Sequence, residues 1–100
     1  MPLSPPQPKQ NAAALAKILR VVGDVRRLTI LCIIFDREKI CVSDIATRLK
    51  ISIASVSHHV RALARVGLLE PVREGKEVCY LFHDVGLAKD LKKFIRHYKK

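Results

Sequence analysis

From Ser43 to Gly67 the chain reads SDIATRLKISIASVSHHVRALARVG. Apolar residues recur at helical spacing on both sides of one short break. Ser43 has the chemistry of a helix N-cap, and Asp44 falls in the first turn, where a carboxylate favours the helix dipole. Ile45, Ala46 and Leu49 carry that helix to Leu49. Lys50-Ile51-Ser52 breaks it, with Ser52 as the next cap. A second helix then runs from Ile53 to about Val66, with Val56, Val60 and Leu63 as its inward stripe and Gly67 as its stop. Two short helices joined by a tight turn form a helix-turn-helix. At about 100° per residue, Ala54, Ser55, His58, Arg61 and Arg65 lie opposite the apolar stripe, so the first helix braces the second and leaves this face free for a major groove.

Downstream, the period changes to two. Leu69–Arg73 and Glu77–Phe82 read as strands joined through Glu74-Gly75-Lys76, and Gly75 supplies the positive φ of a tight hairpin. This hairpin is a basic wing, with Arg73 and Lys76 beside its turn. A last helix is expected from near Asp84, with Leu87, Leu91, Phe94, Ile95 and Tyr98 on one face. Upstream, a helix from Asn11 to Val22 stops at Gly23, and Asp24 caps another through Phe35. The latter is apolar nearly all round and is expected at the centre of the core. Residues 1–10 hold four of the five prolines and read as a flexible arm before a single domain over residues 11–100. The expected fold is mainly α with a small β-hairpin, a winged helix-turn-helix.

The 100 residues carry 19 Lys and Arg against 9 Asp and Glu, a formal charge of +10, and 49% are apolar. That apolar share excludes a disordered basic tail. The charge calls for a polyanionic partner, and with no Trp and few other aromatics to stack on bases, duplex DNA fits better than single strands. No apolar run approaches the roughly 18 residues of a membrane span. Three cysteines behind a Met1-Pro2-Leu3-Ser4-Pro5-Pro6 opening, with no secretory pattern, point to reduced thiols in a cytoplasmic protein.

Several segments together resemble the ArsR/SmtB family of bacterial and archaeal repressors. Gly23-Asp24-Val25-Arg26-Arg27-Leu28-Thr29-Ile30-Leu31 is similar to its "DPTRLRIL" opening. Ile40-Cys41-Val42-Ser43-Asp44-Ile45-Ala46 resembles "LCVCDLA", and Ser55–Leu63 resembles the "STVSHHLKVL" recognition helix. Gly67-Leu68-Leu69 and Arg73-Glu74-Gly75-Lys76 follow "GLV…RREGR". The likeness spans about residues 18–82. It implies a homodimer through the first and last helices, and repression relieved by metal or thiol chemistry. The amphipathic last helix independently asks for a docking partner, and a dimer spaces two recognition helices about one DNA turn apart, roughly 34 Å.

The expected partner is therefore a pseudo-palindromic duplex. Ser55, Ser57, His58 and Arg61 read or flank bases, while Lys50, Ser52, Arg73 and Lys76 hold the backbone. His59 is assigned to the same helix with a mixed packing or backbone role. No cofactor and no metal is expected. Ser43 stands where the family's thiolate site has a second cysteine, and hydroxyl is a poor ligand for soft metals. His83 and His97 depart from the spacing of the family's other site. Cys32 and Cys41 are the candidate redox sensors, weighed against plain core packing, which is favoured at both; Cys79 reads as structural, with no reason to expect it near another thiol. A winged-helix module binding an acidic protein is the rival reading. No nucleophile–base–carboxylate set points to an enzyme.

Overall fold

The computed structural model describes residues 8–98, with side chains from residue 12. In chain order the elements are α1 (Pro8–Val22), α2 (Val25–Phe35), β1 (Ile40–Cys41), α3 (Val42–Leu49), α4 (Ile53–Arg65), β2 (Leu69–Glu74), β3 (Glu77–Phe82) and α5 (Gly86–His97). The first helix starts at Pro8, earlier than its apolar periodicity indicates, because proline is tolerated where the N–H has no helical partner anyway. Most of the proline-rich arm, residues 1–7, lies outside the described residues.

Asp24 caps α2 by accepting the Arg27 N–H at 3.1 Å. That bond, more than any other influence, lowers the Asp24 pKa from the usual carboxylate value. Ile30, Leu31 and Ile34 of α2 are fully buried, so this helix is the centre of the core as its all-round apolarity requires. Around it pack Ile45 from α3, Val56, Val60 and Leu63 from α4, and Leu68 at the entry to the hairpin. Each of these buried aliphatic side chains contributes about 1.5–3 kcal/mol relative to exposure. Phe35 meets Phe82 edge-on at 4.9 Å between ring centroids, which fixes the end of α2 against the hairpin.

The sheet is antiparallel in the order β1-β3-β2. Pro71 sits on the edge strand β2, where its missing N–H removes no central ladder bond. Gly75 turns the hairpin at φ 63°.

Three local expectations are corrected. A third strand, β1, pairs Ile40 with Tyr80 and Cys41 with Cys79; at two residues it is too short to show alternation. Because β1 runs straight into α3, the helix starts two residues earlier and Cys41, not Ser43, occupies its N-cap position, with no side-chain cap bond. The Ser43 hydroxyl donates instead to Glu77 Oε1 at 2.8 Å. The last helix starts at Gly86, because Asp84 turns away to accept from Lys92 Nζ at 3.1 Å.

Candidate nucleic-acid interface

The turn between α3 and α4 is built by two residues. Lys50 takes the left-handed conformation, φ 57° and ψ 44°, which ends α3 and leaves its side chain exposed. Ser52 then caps α4, its Oγ accepting the Ser55 N–H at 3.0 Å. With Val56, Val60 and Leu63 completely buried, the rotation of α4 is fixed. Ala54, His58, Arg61 and Arg65 are exposed; Ser55 and Ser57 are half-buried. Ser57 and Ile53 share a cleft of about 250 Å³ with Lys76 and Val78 of the hairpin and with Val42 and Ser43 of α3. The helix and the wing thus form one continuous surface.

The two adjacent histidines separate sharply. His58 is exposed, whereas His59 is buried, with 9% of its surface accessible. Arg27 Nε on α2 donates to His59 Nδ1 at 3.0 Å, and Arg27 Nη1 donates to the Val21 carbonyl at 3.2 Å. Burial, followed by the Arg27 charge, lowers the His59 pKa below its ordinary value. His59 therefore presents an acceptor nitrogen to Arg27 and positions α4 on α2. Of the mixed packing or backbone role expected for His59, the packing part is what this burial and the Arg27 bond fit: its ring faces the core because, one residue on from His58, it has turned by about 100°.

The wing separates its charges. Glu74 pairs with Lys39, and Glu77 accepts from Ser43, so both turn carboxylates are engaged from the β1–α3 side. Arg73 and Lys76 remain exposed and make no ion pair among the described residues; the same holds for Lys50 and Arg61 on the helix pair. The surface that carries α4 and the wing therefore keeps its positive charge available to an external anion.

The cysteines differ most from expectation. Cys41 and Cys79 are joined by a disulfide across β1 and β3. The expectation of three reduced, separate thiols is overturned because the unforeseen strand β1 brings Cys41 opposite Cys79. Cys32 is the free thiol; half-buried on α2, it lines an apolar groove of about 320 Å³ with Leu28, Phe94, Ile95 and Tyr98. Among the described residues no group of three or more His, Cys, Asp or Glu side chains converges to hold a metal. His83 pairs with Glu70, while His97 packs edge-on against Tyr98.

A second surface lies on the outer helices. Leu15 and Leu19 of α1 are 40% and 49% exposed, and Leu87 and Phe94 of α5 are 47% and 61% exposed. Leu91 and Ile95 pack on the core, so α5 has apolar residues facing both inward and outward. No described helix is long and apolar enough to cross a membrane.

The family description "Bacterial regulatory protein, arsR family" matches residues 24–70. The Staphylococcus aureus cadmium resistance transcriptional regulatory protein CadC homolog is 32% identical over 89 residues, covering 89% of this chain and 74% of that protein. The Vibrio cholerae transcriptional activator HlyU is 32% identical over 79 residues, covering 79% of this chain and 72% of that protein. The structure of reduced HlyU from Vibrio cholerae superposes with a TM-score of 0.81 at 28% identity, covering 92% of this chain and 96% of that one. The matched proteins are transcriptional regulators, and the winged helix-turn-helix architecture is shared.

Proposed function

Because the chain belongs to the arsR family of bacterial regulatory proteins, we propose that it is a cytoplasmic transcriptional repressor that binds duplex DNA as a homodimer. The observation that carries this reading is the arrangement of α4 and the wing. Cations that are exposed and make no ion pair among the described residues flank a helix whose first turns present exposed Ile53 and Ala54 beside half-buried Ser55 and Ser57. Ala54, Ser55 and Ser57 let the helix approach base edges closely, and Ser55, Ser57 and His58 offer donors and acceptors to them. Arg61, farther along the helix, meets bases or backbone. Lys50, Arg73 and Lys76 meet phosphates on either side of the groove, and Ser52 orients the helix N-terminus towards one.

The second copy docks on the exposed apolar residues of α1 and α5. Leu15, Leu19, Leu87 and Phe94 lose water there, and a two-fold interface places two α4 helices on one face of the duplex, roughly 34 Å apart. The duplex site is then a pseudo-palindrome whose half-sites repeat at one helical turn.

Selection of bound fragments from a random duplex pool tests this. The expected product is two related half-sites about 10–10.5 base pairs apart, centre to centre. Ser55→Ala and His58→Ala shift the preferred bases, whereas Arg73→Ala weakens binding to every sequence alike. Absence of enrichment, or enrichment of a lone half-site by a monomer, refutes the reading.

A further inference from the structure

We propose that Cys41 and Cys79 form a reversible oxidation site for hydroperoxides, and that closing their disulfide locks the wing to the helix-turn-helix. The cycling in the cell and the effect on DNA rest on the DNA-binding reading above; closure of the bridge by a hydroperoxide does not. A repressor works in the compartment that holds its DNA, where cellular thiols reduce permanent disulfides, and disulfides that form there are usually transient. The pair is therefore expected to cycle.

The two sulfurs have unequal access. Cys79 is completely buried, whereas Cys41 is half-buried and lines a groove of about 460 Å³ with Lys39, Ser43, Asp44, Thr47 and Glu77. An oxidant entering by that groove meets Cys41 first. Asp44 and Glu77 line it, so a neutral hydroperoxide enters more readily than an anionic oxidant. Cys41 also stands at the N-terminus of α3, where unpaired backbone N–H groups favour the thiolate.

The chemistry balances in two steps. The Cys41 thiolate attacks one peroxide oxygen, the O–O bond breaks, and the departing alkoxide takes up the proton that the thiol released. Cys41 is now a sulfenic acid. The Cys79 sulfur attacks the Cys41 sulfur, the S–O bond breaks, and hydroxide leaves with the Cys79 proton as water. Two thiols have lost two electrons, and the hydroperoxide has become an alcohol and water. A dithiol reductant reverses the bridge by exchange and is itself left as a disulfide.

The bridge spans the junction that matters for groove binding. Cys41 immediately precedes α3, the brace of α4, and Cys79 lies on the wing strand β3. Otherwise β1 and α3 meet β3 through a two-residue ladder, the exposed Ser43–Glu77 bond and the shared core of Ile40, Val42 and Tyr80, while Lys39 reaches Glu74 at the end of β2. A covalent tie at this point stops α4 and the wing from moving independently, so less freedom is lost when both engage one duplex.

The test uses the full chain, reduced with dithiothreitol, freed of it, and treated with one molar equivalent of hydrogen peroxide. The probe is a 30-base-pair duplex selected from a random pool. The mass is expected to fall by two hydrogens, with a crosslinked peptide joining Cys41 to Cys79. The oxidised form is expected to bind the duplex about five- to tenfold tighter than the reduced one. Cys41→Ser and Cys79→Ser abolish the difference, while Cys32→Ser keeps it; Cys41→Ser, at the half-buried position, carries the test if the buried variant misfolds. Failure of the folded, reduced protein to form the bridge overturns the oxidation site. A bridge that leaves affinity unchanged overturns the wing lock. If the bridge forms but neither form holds duplex, the DNA-binding reading falls and the oxidation site stands.

Discussion

Lys76 tests whether the wing meets phosphate. It is exposed beside Gly75 and makes no ion pair among the described residues. Lys50, Arg61, Arg73 and Lys76 are four of the exposed cations without an ion pair on the α4 and wing surface of each protomer; with each of the four on a phosphate, a dimer neutralises about eight, giving a slope of log K against log salt of about −7. From 50 to 200 mM salt, affinity then falls by roughly 10⁴. Lys76→Ala removes two of the eight contacts, flattens the slope to about −5.4, and makes the same salt step cost about 10³. Fluorescence anisotropy on a labelled duplex at four or five salt concentrations measures both slopes. Lys76→Arg retains the original slope, because charge rather than side-chain shape is at issue. If Lys76→Ala lowers affinity but leaves the slope unchanged, Lys76 acts on the wing's structure and not on phosphate. An intact-protein slope shallower than about −4 refutes the whole charge count.

His59 links pH to stability. Its folded pKa lies below the unfolded value near 6.5, so the unfolded chain protonates first as pH falls. Stability holds steady above about pH 7 and declines as pH drops from 6.5 towards the folded pKa; in urea titrations His59→Gln removes that decline, and a decline that persists refutes the assignment. Asp24, with its pKa lowered below 3.8, contributes stability that is lost only at more acidic pH, so the two windows separate. Leu63→Ala, at a completely buried position on α4, costs about 2–5 kcal/mol in chemical denaturation; a cost below about 1 kcal/mol shows that α4 is not anchored by that side chain. Phe94→Asp, at a position 61% exposed, is expected to leave thermal stability of the monomer nearly unchanged while shifting sedimentation from dimer to monomer and weakening duplex binding; a dimer that persists places the interface elsewhere.

The helix-turn-helix was legible because its signals are local and redundant. Ser52 caps α4, Gly67 follows its end, and Val56, Val60 and Leu63 repeat at helical spacing, so each residue predicts the same element. The hairpin was legible from its turn, since Gly75 takes the positive φ it needs, but the two-residue period did not carry over into burial: the neighbours Cys79 and Tyr80 are both buried on β3, the central strand of the sheet. The strand β1 carries no such redundancy. Two residues cannot show a period, and the Ile40↔Tyr80 and Cys41↔Cys79 pairing joins segments far apart in sequence. Ser43 misled for a related reason: a hydroxyl near a helix start reads as a cap, but Glu77 on β3 offers it a better partner.

The same limit explains the division of labour between His58 and His59. Sequence periodicity puts them on different sides of α4, yet it does not say what waits on the inner side. Only the packing of α2 against α4 brings Arg27 to His59 Nδ1. Once there, the guanidinium gives a buried imidazole its hydrogen bond and links the cap of α2, through Asp24 and Arg27, to the orientation of the reading helix. Two adjacent histidines of one helix therefore have opposite surroundings: His58 is open to solvent, while His59 is held to the geometry of α2. Replacing His59 changes how α4 is presented, and its consequence for binding is felt across the entire groove contact rather than at one base pair.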